Sequence, residues 1–102
     1  MIQLVPSFFK DPVPPTLTGR SNANIDADEE DDLRLHCNAS GDPKPMITWS
    51  KDGTPLLQNS SSSAVLQIPN LRQRDAGTYT CTATNKAGSA SHSMVVRVVR
   101  CK

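Results

Sequence analysis

Two stretches decide the fold of this 102-residue chain: Leu35–Gly53, which reads LHCNASGDPKPMITWSKDG, and Asp75–Cys81, which reads DAGTYTC. Each contains one cysteine, and Cys37 and Cys81 lie 44 positions apart. The only tryptophan, Trp49, follows Cys37 by twelve residues. Apolar and polar residues alternate around each cysteine, which is the period-two pattern of a half-buried β-strand. The two cysteines are therefore predicted at inward positions on two separate strands.

The rest of the chain adds further short strands. No stretch has the apolar period of an amphipathic helix, whereas alternating segments recur between clusters of Gly, Pro, Asn, Asp and Ser. Residues 11–19 contain three prolines and suit an irregular edge strand, with Ile25 on a short continuation of it. An Asp52-Gly53 pair predicts a tight hairpin turn. About seven to eight short strands predict an all-β fold, either a sandwich or a small barrel.

The cysteines and the tryptophan favour the sandwich. A disulfide between facing sheets needs a large apolar side chain beside it to fill the space between the sheets, and Trp49 supplies one. Closing so long a loop restricts the unfolded chain by about 4 kcal/mol, which is comparable to the whole stability of a small domain. The alternating segments place Leu35, Ile47, Leu66 and Ile68 in the predicted core around Trp49.

A tyrosine marks one corner of the predicted sandwich. Tyr79 lies two residues before the second cysteine and directly after the turn sequence Asp75-Ala76-Gly77 and Thr78. A tyrosine in this place is expected to reach back with its hydroxyl to a backbone group of the turn, which fixes the corner between the two sheets. We therefore include Tyr79 and Asp75 in the predicted core.

Taken together, these residues resemble an immunoglobulin-like module of the intermediate, or I-set, type. The resemblance covers roughly residues 12–99. The sequence is similar in particular to modules of cell-adhesion receptors and matrix proteins such as perlecan, hemicentin and the contactins. It implies a two-sheet antiparallel Greek-key β-sandwich at residues 12–100, with a linker or tail at 1–11 and a tail at 101–102. It implies no catalytic residues, because such modules bind partner proteins or stack in tandem as spacers.

The sequence departs from the family pattern at two places. The stretch between the tryptophan and the second cysteine is short, so the strand that crosses between the sheets after Leu57 is expected to be vestigial. No arginine precedes Leu66 to form the usual salt bridge with Asp75. In addition, Glu30-Asp31-Asp32 stands where these modules commonly have a Glu-Gly turn.

Composition and motif content argue against several function classes. The net charge is +1 and only 4% of the residues are aromatic, which disfavours a nucleic-acid-binding surface. No apolar run approaches the roughly eighteen residues of a membrane-spanning helix, so direct membrane insertion is not expected. Neither the cysteines nor His36 and His92 are spaced as metal ligands. Without a nucleophile motif or a phosphate-binding glycine loop, we expect no enzyme activity and no cofactor.

Small hydroxyl side chains form the main candidate for a binding face. Threonines alternate with the inward residues of the strand that carries Cys81, and the strand that carries Trp49 repeats the pattern. A rigid face of this kind suits protein recognition, and threonine is equally typical of ordinary solvated β-surface. The last strand adds an outward valine and an outward arginine, and an exposed aliphatic side chain beside an arginine is typical of protein interfaces. The candidate face consists of Thr48, Ser50, Thr78, Thr80, Thr82, Thr84, Val95 and Arg97.

Two segments fit the N-glycosylation pattern. They are Asn38-Ala39-Ser40 and Asn59-Ser60-Ser61. About one such match is expected from the composition alone, so the pattern is a weak signal. Asn59 falls in a polar serine-rich loop, and Asn38 is expected to point to solvent beside Cys37.

Charged clusters and the third cysteine leave further alternatives open. The acidic run Asp26–Asp32 lacks the spacing of a calcium loop and is expected to be a solvated edge turn. Cys101 belongs to a further module, a cross-link or simply the end of the chain. A sulfated glycan is a candidate partner if the basic residues gather in space. These residues are Arg72, Arg74, Arg97, Arg100 and Lys102.

Three functional hypotheses remain. The first is a non-catalytic protein-binding or adhesion module of a larger extracellular or cell-surface protein, with adhesion or receptor ligands and neighbouring modules as partners. The second is an intracellular structural tether of a muscle or actin-associated protein, in which the two cysteines stay buried thiols in a reducing compartment. A small soluble decoy or ligand is a third reading, if Met1 and Lys102 are true ends.

Overall fold

The structure is a computed structural model that describes residues 11–56 and 63–100. Most of the predicted tail at 1–11, the tail residues Cys101 and Lys102, the expected vestigial strand after Leu57 and the sequon residue Asn59 lie outside this part of the chain. The strands are β1 (Val13–Arg20), β2 (Asn24–Asp28), β3 (Leu33–Asp42), β4 (Met46–Lys51), β5 (Thr54–Leu56), β6 (Ser63–Ile68), β7 (Gly77–Asn85) and β8 (Gly88–Val99).

The predicted two-sheet sandwich is confirmed. One sheet has the strand order β1-β3-β6, and the other has the order β2-β8-β7-β4-β5. Neighbouring strands are antiparallel in every pair except β2 and β8, which run parallel. The hairpin between β4 and β5 turns at Asp52 and Gly53, whose φ angles are 50° and 86°. The positive φ values explain why an Asp-Gly pair occupies this turn.

Ile25 does not continue the first strand in its own sheet, as the sequence had suggested. It lies on β2 opposite Val96, in the other sheet. The chain crosses between the sheets within three residues: the Ser21 N–H donates to His36 O in the first sheet, and Ala23 O accepts from the Val95 N–H in the second. Backbone groups that no longer bond to β3 thus form hydrogen bonds with β8, so the crossing costs little free energy.

The core lies between the sheets and surrounds a disulfide. Cys37 on β3 and Cys81 on β7 are joined and fully buried, and Trp49 lies directly opposite Cys81 on the neighbouring strand. Strand β8 contributes three further buried side chains that the sequence did not single out. The buried hydrophobic residues besides the disulfide are Leu35, Ala39, Ile47, Trp49, Leu66, Leu71, Tyr79, Ala83, Met94, Val96 and Val98.

Two residues of the predicted core are only half-buried. Ile68 is the last residue of β6 and pairs with Leu33 at the end of the sheet, so its side chain packs against the rim of the core. Asp75 belongs to a short 3-10 turn at Gln73–Asp75, and its carboxylate accepts a hydrogen bond from the Arg72 N–H at 2.9 Å. The acid therefore stabilises the turn through the backbone, without the family's usual arginine.

The predicted tyrosine corner is present. The Tyr79 hydroxyl donates to the backbone carbonyl of Asp75 at 2.6 Å. Burial raises the pKa of Tyr79 to about 12, and the negative charges of Asp75 and Asp52 add to this increase. The phenol therefore stays protonated and keeps its hydrogen bond over the whole physiological pH range.

The acidic run contains the unusual turn that the sequence indicated. Glu30 has a φ of 77°, a value that glycine adopts at little cost and other residues seldom adopt. Its N–H donates to Leu71 O at 2.8 Å, and Asp31 O accepts from the Leu71 N–H at 2.9 Å. The Asp32 carboxylate accepts from the Asn70 N–H at 3.0 Å. The turn is thus attached to the segment that leads into the tyrosine corner.

Asn85 ties together three segments at the opposite end of the sandwich. Its Nδ2 donates to Val13 O and to Pro43 O, both at 2.8 Å. Its Oδ1 accepts from the Ala87 N–H at 2.8 Å. One side chain therefore fixes the start of β1, the loop between β3 and β4, and the hairpin between β7 and β8.

Candidate functional site

The predicted hydroxyl residues lie together on the outer surface of the five-stranded sheet. Because Tyr79, Cys81 and Ala83 are buried, the alternating threonines of β7 point away from the core. The register adds neighbours from β4 on one side and from β8 on the other. Three rows across the strands result: Met46–Thr84–Ser89, Thr48–Thr82–Ser91 and Ser50–Thr80–Ser93.

We call this surface the hydroxyl face. It comprises Thr48, Ser50, Thr78, Thr80, Thr82, Thr84, Ser89, Ser91 and Ser93.

The hydroxyl groups of this face are only partly used within the fold. Thr80 Oγ1 and Ser93 Oγ lie 3.0 Å apart and share a hydrogen bond, and Thr48 Oγ1 donates to Thr82 O at 3.4 Å. Thr84 is exposed and carries no hydrogen bond from its side chain within the described part of the chain. Each hydroxyl can donate and accept, so the face can adapt its hydrogen bonds to a partner surface.

Aliphatic side chains border the hydroxyl face at two of its ends. Met46 is 53% exposed beside Thr84, and Val95 is 42% exposed opposite Thr78. Farther along β8, Arg97 and Asp26 approach to 3.8 Å between Nη1 and Oδ1, and both side chains are exposed. The structure therefore places all eight predicted face residues on one sheet, with Arg97 beyond the end of the hydroxyl rows and paired with an acid.

Sequence reasoning missed the three serines of β8 and the methionine at the corner. Ser89, Ser91 and Ser93 alternate with inward residues in the same way as the threonines of β7, so the period-two signal was present. Only the pairing of β7 with β8 shows that the two rows are neighbours. Met46 begins β4, where its outward position follows from the buried Ile47 next to it.

The structure describes the asparagine of only one of the two N-glycosylation sequons. Asn38 lies on β3 in the other sheet, and its half-buried side chain is on the outer surface of the sandwich, opposite to the hydroxyl face. Asn59 lies outside the described residues. The use of either site stays a prediction.

Two of the basic residues named for a sulfated glycan, Arg72 and Arg74, flank a residue that contacts the acidic turn. Gln73, between Arg72 and Arg74, donates from Nε2 to the Glu29 carboxylate at 3.4 Å and to Val98 O at 3.1 Å. The acidic turn therefore stands beside this basic corner. Lys102 lies outside the described residues, and a glycan partner stays a prediction.

A shallow cleft marks the place where the chain crosses between the sheets. Its volume is about 350 Å³, and Arg20, Ser21, Asn22, Ala23 and His92 line it. The His92 Nε2 lies 3.0 Å from Ser21 O, so the imidazole holds the crossing against β8. The ring therefore has a structural contact that accounts for its position.

The described residues contain neither a metal-binding cluster nor a membrane-spanning helix. Within residues 11–56 and 63–100, no three side chains of the kinds that bind metals come together in a way that could hold an ion. Among the residues that the structure describes, there is no helix with the length and apolar character needed to cross a membrane.

Comparison with known proteins identifies the family. The sequence pattern of the immunoglobulin domain family matches residues 14–85. Hemicentin-1 of Mus musculus is 41% identical over 87 residues, which are 80% of this chain and 2% of that protein. The basement membrane-specific heparan sulfate proteoglycan core protein of Mus musculus is 45% identical over 65 residues, which are 63% of this chain and 2% of that protein.

A solved structure gives the same result for the fold. The I-band fragment I67–I69 from titin is 32% identical, with a TM-score of 0.78, and the match covers 87% of this chain and 34% of the fragment. The chain thus spans only a small part of the curated relatives that it matches. Modules of this family are generally non-catalytic and bind other proteins. Because the family pattern matches well over half of its length, this chain is a member of the immunoglobulin domain family.

Proposed function

We propose that this chain is a protein-binding or adhesion module of a larger extracellular or cell-surface protein, and that it binds through the hydroxyl face. The observation that carries the proposal is the face itself: nine short, uncharged hydroxyl side chains on three neighbouring strands. A surface without charge avoids the large cost of desolvating unpaired ions, and its hydroxyl groups can be buried at little cost where a partner supplies hydrogen bonds.

The face is also rigid. Cys81 and Trp49 lie directly behind it, so β4 and β7 are held by the disulfide and by fully buried core side chains. Serine and threonine lose little rotamer entropy when a partner covers them, compared with lysine or glutamate. Their methyl and hydroxyl groups together with Met46 and Val95 supply both apolar contact and adaptable hydrogen bonds.

The size of the face suits weak binding. With strands about 4.8 Å apart and residues on one face about 6.8 Å apart along a strand, nine residues cover a projected area of about 300 Å². Stable interfaces bury about 800 Å² on each partner, so this face alone is small. Binding through several such modules in one chain would raise the effective affinity without any new contact at this face.

Two observations support an extracellular setting. The buried Cys37–Cys81 disulfide is of a kind that persists in oxidising compartments. In addition, one relative carries the words basement membrane in its name. The leading proposal therefore places the module in the extracellular part of its parent protein.

An intracellular structural tether is the second candidate function. The similarity to an I-band fragment of titin favours it, because that fragment consists of modules with the same fold in series. In such a setting the two cysteines would remain thiols, and the sandwich would act through its neighbours along the chain. Thiol alkylation of the protein from its native source, followed by mass analysis, separates the two functions: a disulfide supports the first and two free thiols support the second.

The binding face can be tested with multimers of the module. We expect tetramers to bind at least one member of an array of secreted ectodomains, and Thr82→Arg, at the centre of the face, to abolish that binding because it places a large charge in an uncharged surface. Thr16→Arg introduces the same side chain at an exposed position of the other sheet and serves as the matched control. Equal binding by both variants would exclude the hydroxyl face, and loss in both would point to a general effect of charge.

A further inference from the structure

We propose that Asn38 carries an N-linked glycan that covers the outer surface of the β1-β3-β6 sheet, so that only the opposite surface of the sandwich remains open to proteins. The inference rests on the extracellular part of the proposed function, because the modification occurs in the secretory pathway. It is carried by the geometry around Asn38.

The sequon lies on one side of β3. Cys37 and Ala39 are buried, so Asn38 and Ser40, which alternate with them, both point outward. Ser40 is exposed. Acceptor and hydroxyl residue are thus on the same solvent-facing side, and a glycan at Asn38 would project away from the core.

Asn38 lies opposite a glycine of β1. Its partner there is Gly19, and a Cβ built on that residue would be 3.2 Å from Asn38 Nδ2. The acceptor nitrogen therefore lies over the glycine, and a side chain at position 19 would crowd it. On the other side, the register places position 63 of β6 opposite Asn38.

The acceptor amide is free and in contact with water. Within the described residues, the Asn38 side chain makes no hydrogen bond. Among these residues, Trp49 Nε1 is the one side-chain polar atom that is both buried and without a hydrogen bond, so the unbonded amide of Asn38 is not sealed off from solvent. Linking Nδ2 to a sugar therefore breaks no contact that the fold depends on.

The chemistry needs a lipid-linked pyrophosphoryl oligosaccharide as donor. Nδ2 of Asn38 forms a bond to C1 of the first sugar and loses one proton, and the bond from C1 to the pyrophosphate oxygen breaks, which releases the lipid pyrophosphate. No oxidation or reduction occurs. The step takes place before folding is complete, so the half-buried state of Asn38 in the folded module does not oppose it.

A glycan at this position would cover exposed side chains of the same sheet. Val65 is 46% exposed and pairs with the exposed His36, which is two residues from Asn38 on the same side of β3. The hydroxyl face lies on the other sheet, across the whole thickness of the sandwich. The glycan would therefore shield one surface and leave the hydroxyl face free.

The site can be tested by expressing the full chain behind a secretion signal in mammalian cells and measuring the intact mass before and after treatment with a glycan-releasing amidase. We expect Asn38→Gln and Ser40→Ala each to remove one glycan, and Asn59→Gln, at the second sequon, to leave the glycan at Asn38 in place. Ser40→Ala keeps the asparagine and so covers the case in which Asn38→Gln fails to fold. A wild-type peptide with unmodified Asn38 overturns the assignment.

The covering of the sheet has its own readout. Diethyl pyrocarbonate modifies exposed histidines, and we expect the modification rate of His36 to rise several-fold after amidase treatment. His92, on the other sheet and bonded to Ser21 O, should not change and is the internal control. Equal His36 rates before and after release overturn the covering. The two proposals can fail separately. If the secreted, disulfide-bonded protein lacks the glycan but still binds through the hydroxyl face, only this inference is wrong. If the protein is glycosylated at Asn38 but does not bind, only the proposed function is wrong.

Discussion

Replacing Asn85 with alanine is expected to destabilise the module by about 2 kcal/mol, because three segments of the chain depend on this one side chain. Its Nδ2 donates to Val13 O and Pro43 O, which are 72 and 42 positions away in the sequence, and its Oδ1 accepts from the Ala87 N–H. All three bonds are 2.8 Å long.

The magnitude follows from the number of bonds and from the burial. A hydrogen bond within a protein contributes about 1 kcal/mol net, and a freed buried carbonyl costs somewhat more. Asn85 is half-buried, so water can reach some of the freed groups and the total falls below the sum for three buried bonds. About 2 kcal/mol is a substantial part of the 5 to 15 kcal/mol that stabilise a typical domain.

An aspartate at the same position tests the direction of the hydrogen bonds. Asn85→Asp keeps the acceptor for the Ala87 N–H but turns the second oxygen, now charged, toward two carbonyl oxygens. At neutral pH it should therefore be at least as destabilising as Asn85→Ala. Protonation of the introduced carboxyl restores one hydrogen-bond donor. The unfolding free energy of Asn85→Asp should therefore rise relative to that of Asn85→Ala as the pH falls from about 7 to about 4.

Urea unfolding followed by Trp49 fluorescence, with the disulfide intact, measures these differences. Asn24→Ala and Asn24→Asp, at the exposed first residue of β2, are the matched controls and should change stability by less than about 0.5 kcal/mol. The reasoning is refuted if Asn85→Ala costs no more than the control, or if Asn85→Asp equals the wild type at neutral pH.

Three further substitutions probe the disulfide, the tyrosine corner and the acidic turn. Replacing both Cys37 and Cys81 with alanine should cost about 4 kcal/mol in urea unfolding through loop-closure entropy, and a loss below about 1 kcal/mol would contradict this. Tyr79→Phe should cost about 1 kcal/mol at neutral pH. Because the pKa of Tyr79 is raised to about 12 by burial, the wild type keeps its advantage up to about pH 10 and loses it progressively toward pH 12, whereas the variant should show no such decline in unfolding experiments over that range. Glu30→Gly should stabilise by about 0.5 to 1 kcal/mol, because glycine adopts the positive φ at that position without strain, and Glu29→Gly should give no gain in the same thermal unfolding assay.

Much of the fold could be predicted because its signals are local. Alternation around Cys37 and Cys81 depends only on the period of a strand, and the buried disulfide with Trp49 beside Cys81 agrees with it. The Asp52-Gly53 turn and the tyrosine corner were likewise predictable, since a hairpin turn and a contact from Tyr79 to Asp75 involve neighbours in sequence.

Other features could not be read from local patterns. Ile25 lies on a strand with the expected alternation, but its pattern does not say that the chain has changed sheets after Arg20. Whether the basic residues near Arg72 gather in space could not be predicted either, and neither could the contact that brings Glu29 of the acidic turn to Gln73 beside them. Both outcomes depend on contacts between segments far apart in the chain.

The hydroxyl face illustrates which features follow from the sequence and which depend on the tertiary structure. The sequence by itself determined that Thr78 to Thr84 share one side of a strand, because side chains two residues apart always do. It also predicted an inward position for each of Cys37 and Cys81 and an all-β fold from the alternation within strands, and the cysteines with Trp49 favoured the sandwich. The tertiary structure alone decided that Ser89, Ser91 and Ser93 widen this row into a surface, and that Asn38 lies on the other side of the sandwich. The physical reason is that periodicity acts within a strand, whereas the choice of neighbouring strands depends on how the loops close and on which surfaces the core brings together.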